Sequence, residues 1–242
     1  MTNPQKVEDA FFDHFSKADK PTKLGIRLVK MMSRKIFGFA GAGPGSSVLE
    51  IGPGRGTLAD ICLEKGIAYC AVEPNEEMAV SLEKRGAMVA RGIVPPLPQF
   101  DRNFDAVIMI NVMEHMNSMQ DALLISRQIR EVLKPKGKLI ISSPDYLNWR
   151  LNFFNCDFSH NYVTSRRRLR QLLLDTGYEN IESHYLSGPL SGFSCLLVTT
   201  FISRLPFGLF NALFPNNKIF YKLYKIQLTF LRKVLIIGQK PG

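Results

Sequence analysis

The chain has 242 residues, of which 45% are hydrophobic, and this composition excludes a chain too polar to bury a core of its own. Its net charge of +10 leaves nucleic acid, an anionic membrane and an acidic ligand open as partners. The four cysteines lack C-x-x-C spacing and no secretory signal opens the sequence, which favours a reduced, cytoplasmic setting over a disulfide-stabilised one.

Two helices are predicted in the N-terminal region, over residues 7–17 and 22–40. In the second, apolar side chains recur at helical spacing, while lysines and arginines mark an exposed face. Further along, short apolar strands alternate with amphipathic helices. The strands are predicted at 48–51, 68–72, 87–90, 106–110 and 139–142, and the helices at 57–65, 76–85 and 119–133. This alternation predicts a parallel sheet wrapped by helices.

Capping residues mark the helix boundaries in the second half of the chain. Ser118 with Asp121 forms a capping-box pattern at the start of the helix at 119–133. Thr164 or Ser165 is predicted to cap a further helix that reaches residue 175, where Gly177 is placed to end it. A sixth strand is predicted at residues 181–186.

The pattern Glu50-x-Gly52-x-Gly54-x-Gly56 follows the first strand and is the most informative in the chain. Alternating glycines let the backbone turn tightly and approach a ligand, and the helix that follows offers unpaired N–H groups at its positive end. Glu73 ends the next strand, where a carboxylate can accept hydrogen bonds from ribose hydroxyls. The dinucleotide fingerprint G-x-G-x-x-G would need Gly or Ala at position 57, and this chain has Thr57. The pattern therefore predicts a different nucleotide pocket.

The glycine run with Glu73 resembles motif I and the acidic loop of the class I S-adenosylmethionine-dependent methyltransferases. Residues 104–115 resemble the fourth strand and following loop of the ubiquinone-biosynthesis-type branch, and residues 132–141 resemble its turn into strand five. The resemblance implies a Rossmann-like α/β fold, with a seven-stranded, mostly parallel sheet, helices on both faces and an antiparallel final strand at 234–241. It also implies S-adenosylmethionine as the cofactor and methyl transfer as the reaction (EC 2.1.1.-).

The same resemblance implies where the cofactor binds. Glu50 would lie under its methionine part and organise the ammonium, and Glu73 would take the two ribose hydroxyls. The acidic residue that commonly binds the adenine amino group is missing, so backbone groups and the apolar side of Ile93 are expected to hold adenine. The predicted cofactor residues are Glu50, Gly52, Pro53, Gly54, Gly56, Glu73, Pro74, Ile93 and Asn111.

Two histidines are candidate catalytic bases. His115 is predicted at the carboxyl end of strand four, where ligands bind in open parallel sheets, and an imidazole can take the proton of a hydroxyl nucleophile at neutral pH. The alternative for His115 is a structural pair with Glu114 that holds the loop. His160 is the second candidate, with a loop or helix-cap role as its alternative.

No metal site is predicted from the sequence. Some relatives, including small-RNA 2′-O-methyltransferases, hold a divalent cation with an E-x-x-E-H arrangement. Here Asn111 replaces the first carboxylate before Glu114 and His115, and Mg²⁺ favours carboxylate oxygens.

The sequence divides into a predicted N-terminal helical cap (1–45), a methyltransferase core (46–186 and 234–242) and an apolar, basic insertion (187–233). No acidic residue follows Glu182, and the insertion mixes phenylalanines with lysines and arginines. Contact with an anionic membrane, a substrate lid, an extra packed layer and a homodimer face all remain open for it. Arg204 and Pro206 interrupt its apolar run, so no transmembrane helix is predicted.

The leading hypothesis is an enzyme that transfers a methyl group from S-adenosylmethionine to a hydroxyl of a small or lipid-linked acceptor. It would act in the cytoplasm, and peripherally at the inner face of the membrane if the insertion binds lipid. An RNA methyltransferase is the second hypothesis, because the positive charge suits nucleic acid, although no RNA-binding module is evident. A non-catalytic protein that binds the cofactor on the same fold is the third.

Overall fold

The computed structural model describes residues 22–242, which fold around one central sheet of eight strands. The helix predicted at 7–17 lies outside the described residues. The strands are β1 (Ser47–Ile51), β2 (Ala68–Glu73), β3 (Met88–Arg91), β4 (Phe104–Ile110), β5 (Leu133–Pro144), β6 (Glu179–Ser187), β7 (Leu190–Ser191) and β8 (Lys233–Gln239).

The sheet has the strand order β3-β2-β1-β4-β5-β8-β6-β7. Strands β1 to β5 pair in parallel, whereas β8 runs antiparallel between β5 and β6. This confirms the predicted α/β fold and its antiparallel closing strand. The structure adds an eighth strand to the predicted seven, because the chain folds back after β6 so that Leu190 and Ser191 pair with Ser187 and Leu186.

Ten helices are described in residues 22–242, together with a 3₁₀ turn at Met113–His115. They are α1 (Lys23–Ala40), α2 (Thr57–Glu64), α3 (Glu76–Glu83), α4 (Met119–Val132), α5 (Tyr146–Trp149), α6 (Asn152–Asn155), α7 (Arg166–Asp175), α8 (Gly192–Ile202), α9 (Phe207–Leu213) and α10 (Lys218–Phe230). Helices α1 to α4 and α7 match predicted helices within a few residues at each end. The division of the chain into cap, core and insertion remains a prediction.

Both faces of the sheet are covered by apolar clusters. Because successive side chains of a strand point to opposite faces, Leu49 and Val107 join one cluster with residues of α4 and α7, whereas Val48 and Ile108 join the other with residues of α1 and α2. Every residue of β1 is buried. Such double coverage is what keeps an all-parallel region of sheet stable.

Predicted capping residues begin α4 and α7. The Ser118 hydroxyl accepts the Asp121 N–H at 3.1 Å and begins α4. Of the two candidates for α7, Ser165 is the cap, because its hydroxyl lies 3.4 Å from the Arg168 N–H. The Thr164 hydroxyl instead donates to the Pro144 carbonyl at 2.6 Å and ties the loop to the end of β5.

Helices α8, α9 and α10 form what we call the helical layer, residues 192–230. Phe220 of α10 packs on Phe210 and Phe214 with ring centroids 5.5 Å apart in both pairs. Within it, Gly192–Leu213 has a mean hydropathy of 1.6 and by length and composition alone would suit a membrane span. The chain is not helical at 203–206, so this segment is two short helices.

Candidate active site

The turn between β1 and α2 carries the three glycines of the sequence pattern. Gly52, Gly54 and Gly56 have φ angles of 67°, 53° and 72°, in the left-handed region that favours glycine. A Cβ at Gly52 would lie 2.6 Å from the side chain of Val112, so only glycine fits there. A Cβ at Gly54 would meet no atom within 4 Å, because this residue lines an open cavity. The turn thus presents bare backbone to a ligand.

Glu73, at the end of β2, is held by the same turn. Its carboxylate accepts the N–H of Gly54 at 2.9 Å and the N–H of Asn75 at 3.0 Å. Burial raises the pKa of Glu73, and these two N–H donors oppose the rise. Each carboxylate oxygen keeps acceptor capacity beyond the one N–H bond it makes. Glu73 is therefore a fixed acceptor suited to a pair of hydroxyls.

A cavity of about 350 Å³ lies where β1, β2 and β4 end, and we call it the first cavity. Six of the nine predicted cofactor residues line it, namely Gly52, Gly54, Glu73, Pro74, Ile93 and Asn111. Val94, Val112 and Met116 supply apolar walls. A carboxylate for hydroxyls, bare backbone and apolar walls fit a nucleoside, so these residues fit the predicted cofactor.

A larger cavity of about 790 Å³ lies between the glycine turn and α1, and we call it the second cavity. It is lined by Ile26, Val29 and Met32 of α1, together with residues from the end of α10 and the β6–β7 turn. Gly52 and Asn111 line both cavities. Because they share lining residues, the two cavities are neighbours.

The remaining predicted cofactor residues lie elsewhere around the turn. Glu50 and Pro53 line the second cavity, and Gly56 begins α2. Glu50 is buried and accepts a 2.5 Å hydrogen bond from the Tyr69 hydroxyl. Burial raises the pKa of Glu50 to about 8, the Tyr69 bond opposes the rise, and the charge of Glu73 adds to it. Glu50 thus stays protonated at neutral pH in this structure.

His115 is oriented by a chain of hydrogen bonds from the loop after β5. The Ser159 hydroxyl donates to Asp157 at 2.6 Å, and His115 Nδ1 lies 2.7 Å from the same hydroxyl oxygen. Because the single hydroxyl proton goes to Asp157, the Ser159 oxygen accepts the Nδ1–H of His115. The lone pair of this imidazole is then on Nε2, the protonation state that a general base requires.

Asp157 keeps a negative charge behind this histidine. Although burial raises its pKa, the Ser159 hydroxyl and N–H, with the two neighbouring imidazoles, hold the pKa of Asp157 below its usual value. The order Asp157, Ser159, His115 places an anion two hydrogen bonds from the imidazole. Positive charge that develops on His115 is therefore stabilised.

His160 packs edge-on against His115, with ring centroids 4.9 Å apart. Its Nδ1–H donates to the Phe153 carbonyl at 2.6 Å, since a carbonyl oxygen only accepts. Burial lowers the pKa of His160, which keeps the ring neutral at pH 7. The structure brings the two predicted histidines together, and their catalytic roles remain predictions.

Glu114 sits behind the two histidines and is fully buried. Ser143 donates to its Oε2 at 2.8 Å, and burial raises its pKa to about 7. Among the described residues, its Oε1 has no hydrogen-bond partner. One ligand atom each from Glu114, His115 and His160 lie within 4.8 Å of one another, so these three residues could hold a divalent cation. The predicted absence of a metal stays a prediction.

Lys233 is a site residue that the sequence did not single out. Its ammonium donates to Asn111 Oδ1 at 2.9 Å and lines the second cavity. Burial lowers its pKa, and the charge of Glu114 opposes this. A cation beside Asn111 suits an anionic or oxygen-bearing ligand at this point, where the E-x-x-E-H arrangement would place a carboxylate.

The site residues that were not predicted from the sequence differ in whether a local sequence pattern marks them. Asp157 and Ser159 form an Asp-x-Ser turn, in which Asp157 also accepts the Ser159 N–H at 2.9 Å, and such turns have a recognisable sequence. Lys233 lies 122 residues from Asn111 in the sequence, and only the antiparallel insertion of β8 brings them together. No local signal could have revealed that contact.

The chain is similar to known methyltransferases in sequence. The sequence model of a methyltransferase-domain family matches residues 26–183, more than half of the chain. A probable tRNA methyltransferase 9B of Bos taurus is 35% identical over 101 residues, covering 40% of this chain and 21% of that protein. A demethylmenaquinone methyltransferase of Renibacterium salmoninarum is 27% identical over 142 residues, covering 57% of this chain and 59% of that one. The chain spans 44%, 39% and 21% of the length of three relatives that it matches.

Solved structures show the same fold. A phosphoethanolamine N-methyltransferase 2 of Haemonchus contortus, in complex with S-adenosylhomocysteine, matches with a TM-score of 0.62 and 19% identity over 87% of this chain and 52% of that one. Further matched structures have TM-scores from 0.57 to 0.66. At sequence identities of 13% to 19%, these matches show the fold alone and do not identify the methyl acceptor.

Proposed function

The chain belongs to the methyltransferase-domain family and is a class I S-adenosylmethionine-dependent methyltransferase, and on this basis we propose that it methylates a hydroxyl of a small or lipid-linked acceptor. One observation carries the choice of a hydroxyl. His115 lines the first cavity with its basic nitrogen set by the Asp157–Ser159 chain. A hydroxyl, unlike a neutral amine, needs a base to remove its proton as it attacks.

The first cavity is the place for the cofactor. Glu73 would take the ribose hydroxyls, the bare backbone of Gly52 and Gly54 would approach the ligand, and the apolar walls at Ile93 would hold adenine. Bound S-adenosylmethionine supplies an electrophilic methyl group on its sulfonium. Glu50, buried on the far side of the glycine turn, would take the ammonium and lose its own proton as it does so.

The chain's own residues then perform proton transfer and positioning. Nε2 of His115 accepts the hydroxyl proton, and Asp157, through Ser159, stabilises the imidazolium that results. Lys233 and Asn111 orient the acceptor oxygen where the two cavities meet. The acceptor itself fits the second cavity, whose wall at α1 is apolar and therefore suits a hydrophobic molecule.

RNA is the second candidate acceptor, and the match to the bovine tRNA methyltransferase 9B favours it. The positive charge of the chain suits nucleic acid as well. Against it, the basic residues of the helical layer are interspersed with exposed apolar side chains. Protein surfaces that bind nucleic acid carry few such side chains.

The test is transfer of a radiolabelled methyl group from S-adenosylmethionine to three fractions of a strain that lacks the gene: lipid extract, water-soluble metabolites and total RNA. We expect label in an O-methylated lipid or small molecule. Label in RNA alone would support the second candidate. Calorimetric binding of S-adenosylhomocysteine with no transfer to any fraction would support a non-catalytic protein. A parallel reaction with EDTA reports whether the cluster of Glu114, His115 and His160 needs a metal.

A further inference from the structure

Helix α8 leaves an apolar surface in contact with solvent. Phe193, Leu197 and Phe201 recur every four residues, so they form one stripe, and they are 75%, 58% and 69% exposed. Only Cys195 and Thr199 of this helix are buried. A helix that is hydrophobic on nearly all sides is normally buried, so this exposed stripe indicates a surface that something else covers.

Helices α9 and α10 of the helical layer also expose apolar side chains. Leu209 and Leu213 are one turn apart on α9 and are 59% and 62% exposed, and Ile219 and Ile226 on α10 are 67% and 55% exposed. The layer is held together from within, since the buried Gln227 of α10 donates to the carbonyl of Ile202 at the end of α8 at 2.9 Å and to that of Leu205 between α8 and α9 at 2.7 Å. The three helices therefore pack together, and each of them exposes apolar side chains.

Positive charge surrounds these apolar side chains. Lys218, Lys222 and Lys225 are exposed and lie three or four residues apart along α10, and Arg204 is exposed between α8 and α9. No acidic residue follows Glu182 in the chain. The helical layer is thus apolar and purely basic, which is the composition of helices that lie in the interface of an anionic membrane.

We propose that the helical layer docks onto an anionic phospholipid bilayer, with α8 lying in the plane of the interface. Helix α8 has 11 residues and is about 16 Å long, whereas the hydrocarbon core is about 30 Å thick. Phe193, Leu197 and Phe201 enter the acyl boundary, and the lysines of α10 meet the phosphate headgroups.

Charge argues for a bilayer over a second copy of the chain. A symmetric dimer through this surface would bring the same patch of each copy together. Both patches would be basic and neither would hold a carboxylate, so like charges would face each other. An anionic bilayer supplies the opposite charge and the apolar phase at once.

The docked orientation also places the second cavity close to the membrane. Thr229, near the end of α10, and Gly188, in the turn before α8, both line that cavity. Lys35 of α1 ties the same turn to the cavity wall by donating to Pro189 O at 3.0 Å and to Ser191 Oγ at 2.7 Å. An acceptor with a lipid tail would reach the cavity along the docking surface. The docking itself needs neither donor nor acceptor and stands apart from the proposed methyl transfer.

The test is co-sedimentation of the full chain with vesicles of phosphatidylglycerol and phosphatidylcholine, or of phosphatidylcholine alone. We expect at least about tenfold stronger binding to the anionic vesicles, weakening with added salt. The triple variant Lys218→Glu, Lys222→Glu, Lys225→Glu is expected to bind them about 100-fold more weakly. The triple variant Phe193→Ser, Leu197→Ser, Phe201→Ser is expected to bind at least about tenfold more weakly, whatever the lipid.

A matched control carries the same charge change away from the helical layer: Lys65→Glu, Lys84→Glu, Arg127→Glu, all at exposed positions. It should keep binding within about threefold, because charges beyond a Debye length of about 8–10 Å are screened. S-adenosylhomocysteine affinity of every variant, measured without vesicles, shows that each is folded. Equal loss in the control, or no preference for anionic vesicles, would overturn the proposal. So would a dimer, seen by light scattering, that the serine variant converts to monomer, because a second copy would then cover the layer.

Discussion

The glycine-turn region, residues 47–116, and the helical layer, residues 192–230, use their side chains in opposite ways. In the first, the carboxyl groups of Glu50 and Glu73 are buried and each accepts a hydrogen bond from the surrounding structure. In the second, large apolar side chains such as Phe193 and Phe201 face solvent. One region buries polar groups, and the other exposes apolar groups.

Each arrangement costs free energy unless a ligand or a surface compensates for it. In the glycine-turn region, the buried polar groups find hydrogen-bond partners within the chain, so this region is formed before the cofactor binds. The helical layer lacks an internal partner for its apolar surface among residues 22–242, so its geometry is completed from outside. Turnover, ligand binding and stability should therefore respond differently to substitutions in the two regions.

The largest effect is expected at His115. Replacement by alanine removes the proton acceptor, and general-base catalysis contributes about 100- to 10,000-fold to a rate. The turnover number for the native acceptor should fall by that factor, while calorimetry shows S-adenosylhomocysteine affinity within threefold of the unmodified chain. The matched control is His184→Ala, at an exposed position of β6. Full turnover by His115→Ala would show that this histidine only holds the loop.

The next effect is expected at Glu73. Glu73→Ala removes the acceptor for two hydroxyls and leaves the N–H groups of Gly54 and Asn75 without their carboxylate partner. Hydrogen bonds to charged groups contribute about 1.5–3 kcal/mol each, so S-adenosylhomocysteine should bind about 100-fold or more weakly by calorimetry. The exposed Glu77, on α3, is the control position. Unchanged affinity in Glu73→Ala would place the cofactor outside the first cavity.

The sequence predicted the glycine-turn region well because its determinants are local. Alternating glycines impose a backbone shape on residues 52–56, and Glu73 follows from the end of a recognisable strand. The contact between Lys233 and Asn111 was not predictable, since it depends on where β8 enters the sheet. The two-residue strand β7 is too short to leave any periodic pattern.

The helical layer was predictable in composition and not in geometry. Its phenylalanines and lysines are plain in the sequence, but hydrophobic residues are buried by default, and a sequence does not say which of them remain exposed. The sequence predicted that Arg204 and Pro206 interrupt the apolar run, and in the structure the chain is not helical at 203–206, between α8 and α9. Exposure of Phe193 and Leu197 depends on how little of α8 packs on the sheet, which is a tertiary property.

A pH-dependent effect on stability is expected from the buried Glu50. Its pKa is raised from 4.5 to about 8, so the folded state holds a proton that the unfolded state releases. The resulting stability is complete below pH 4.5 and is lost as pH rises to about 8. Across that window the free energy of unfolding should fall by about 1.4 kcal/mol per pH unit from this group. In Glu50→Gln that part of the slope should vanish in urea titrations, whereas Glu77→Gln should keep it.

The smallest effect is expected at Phe193, and it addresses the helical layer directly. This side chain is 75% exposed, so Phe193→Ser should change the free energy of unfolding by no more than about 0.5 kcal/mol, measured from the urea midpoint at constant slope. Ile108→Ala, at a fully buried position of β4, should lose about 2–5 kcal/mol in the same assay. A loss above about 1 kcal/mol in Phe193→Ser would mean that the ring is already covered in solution. Its apolar surface would then have a protein partner, and a bilayer would not be needed to explain it.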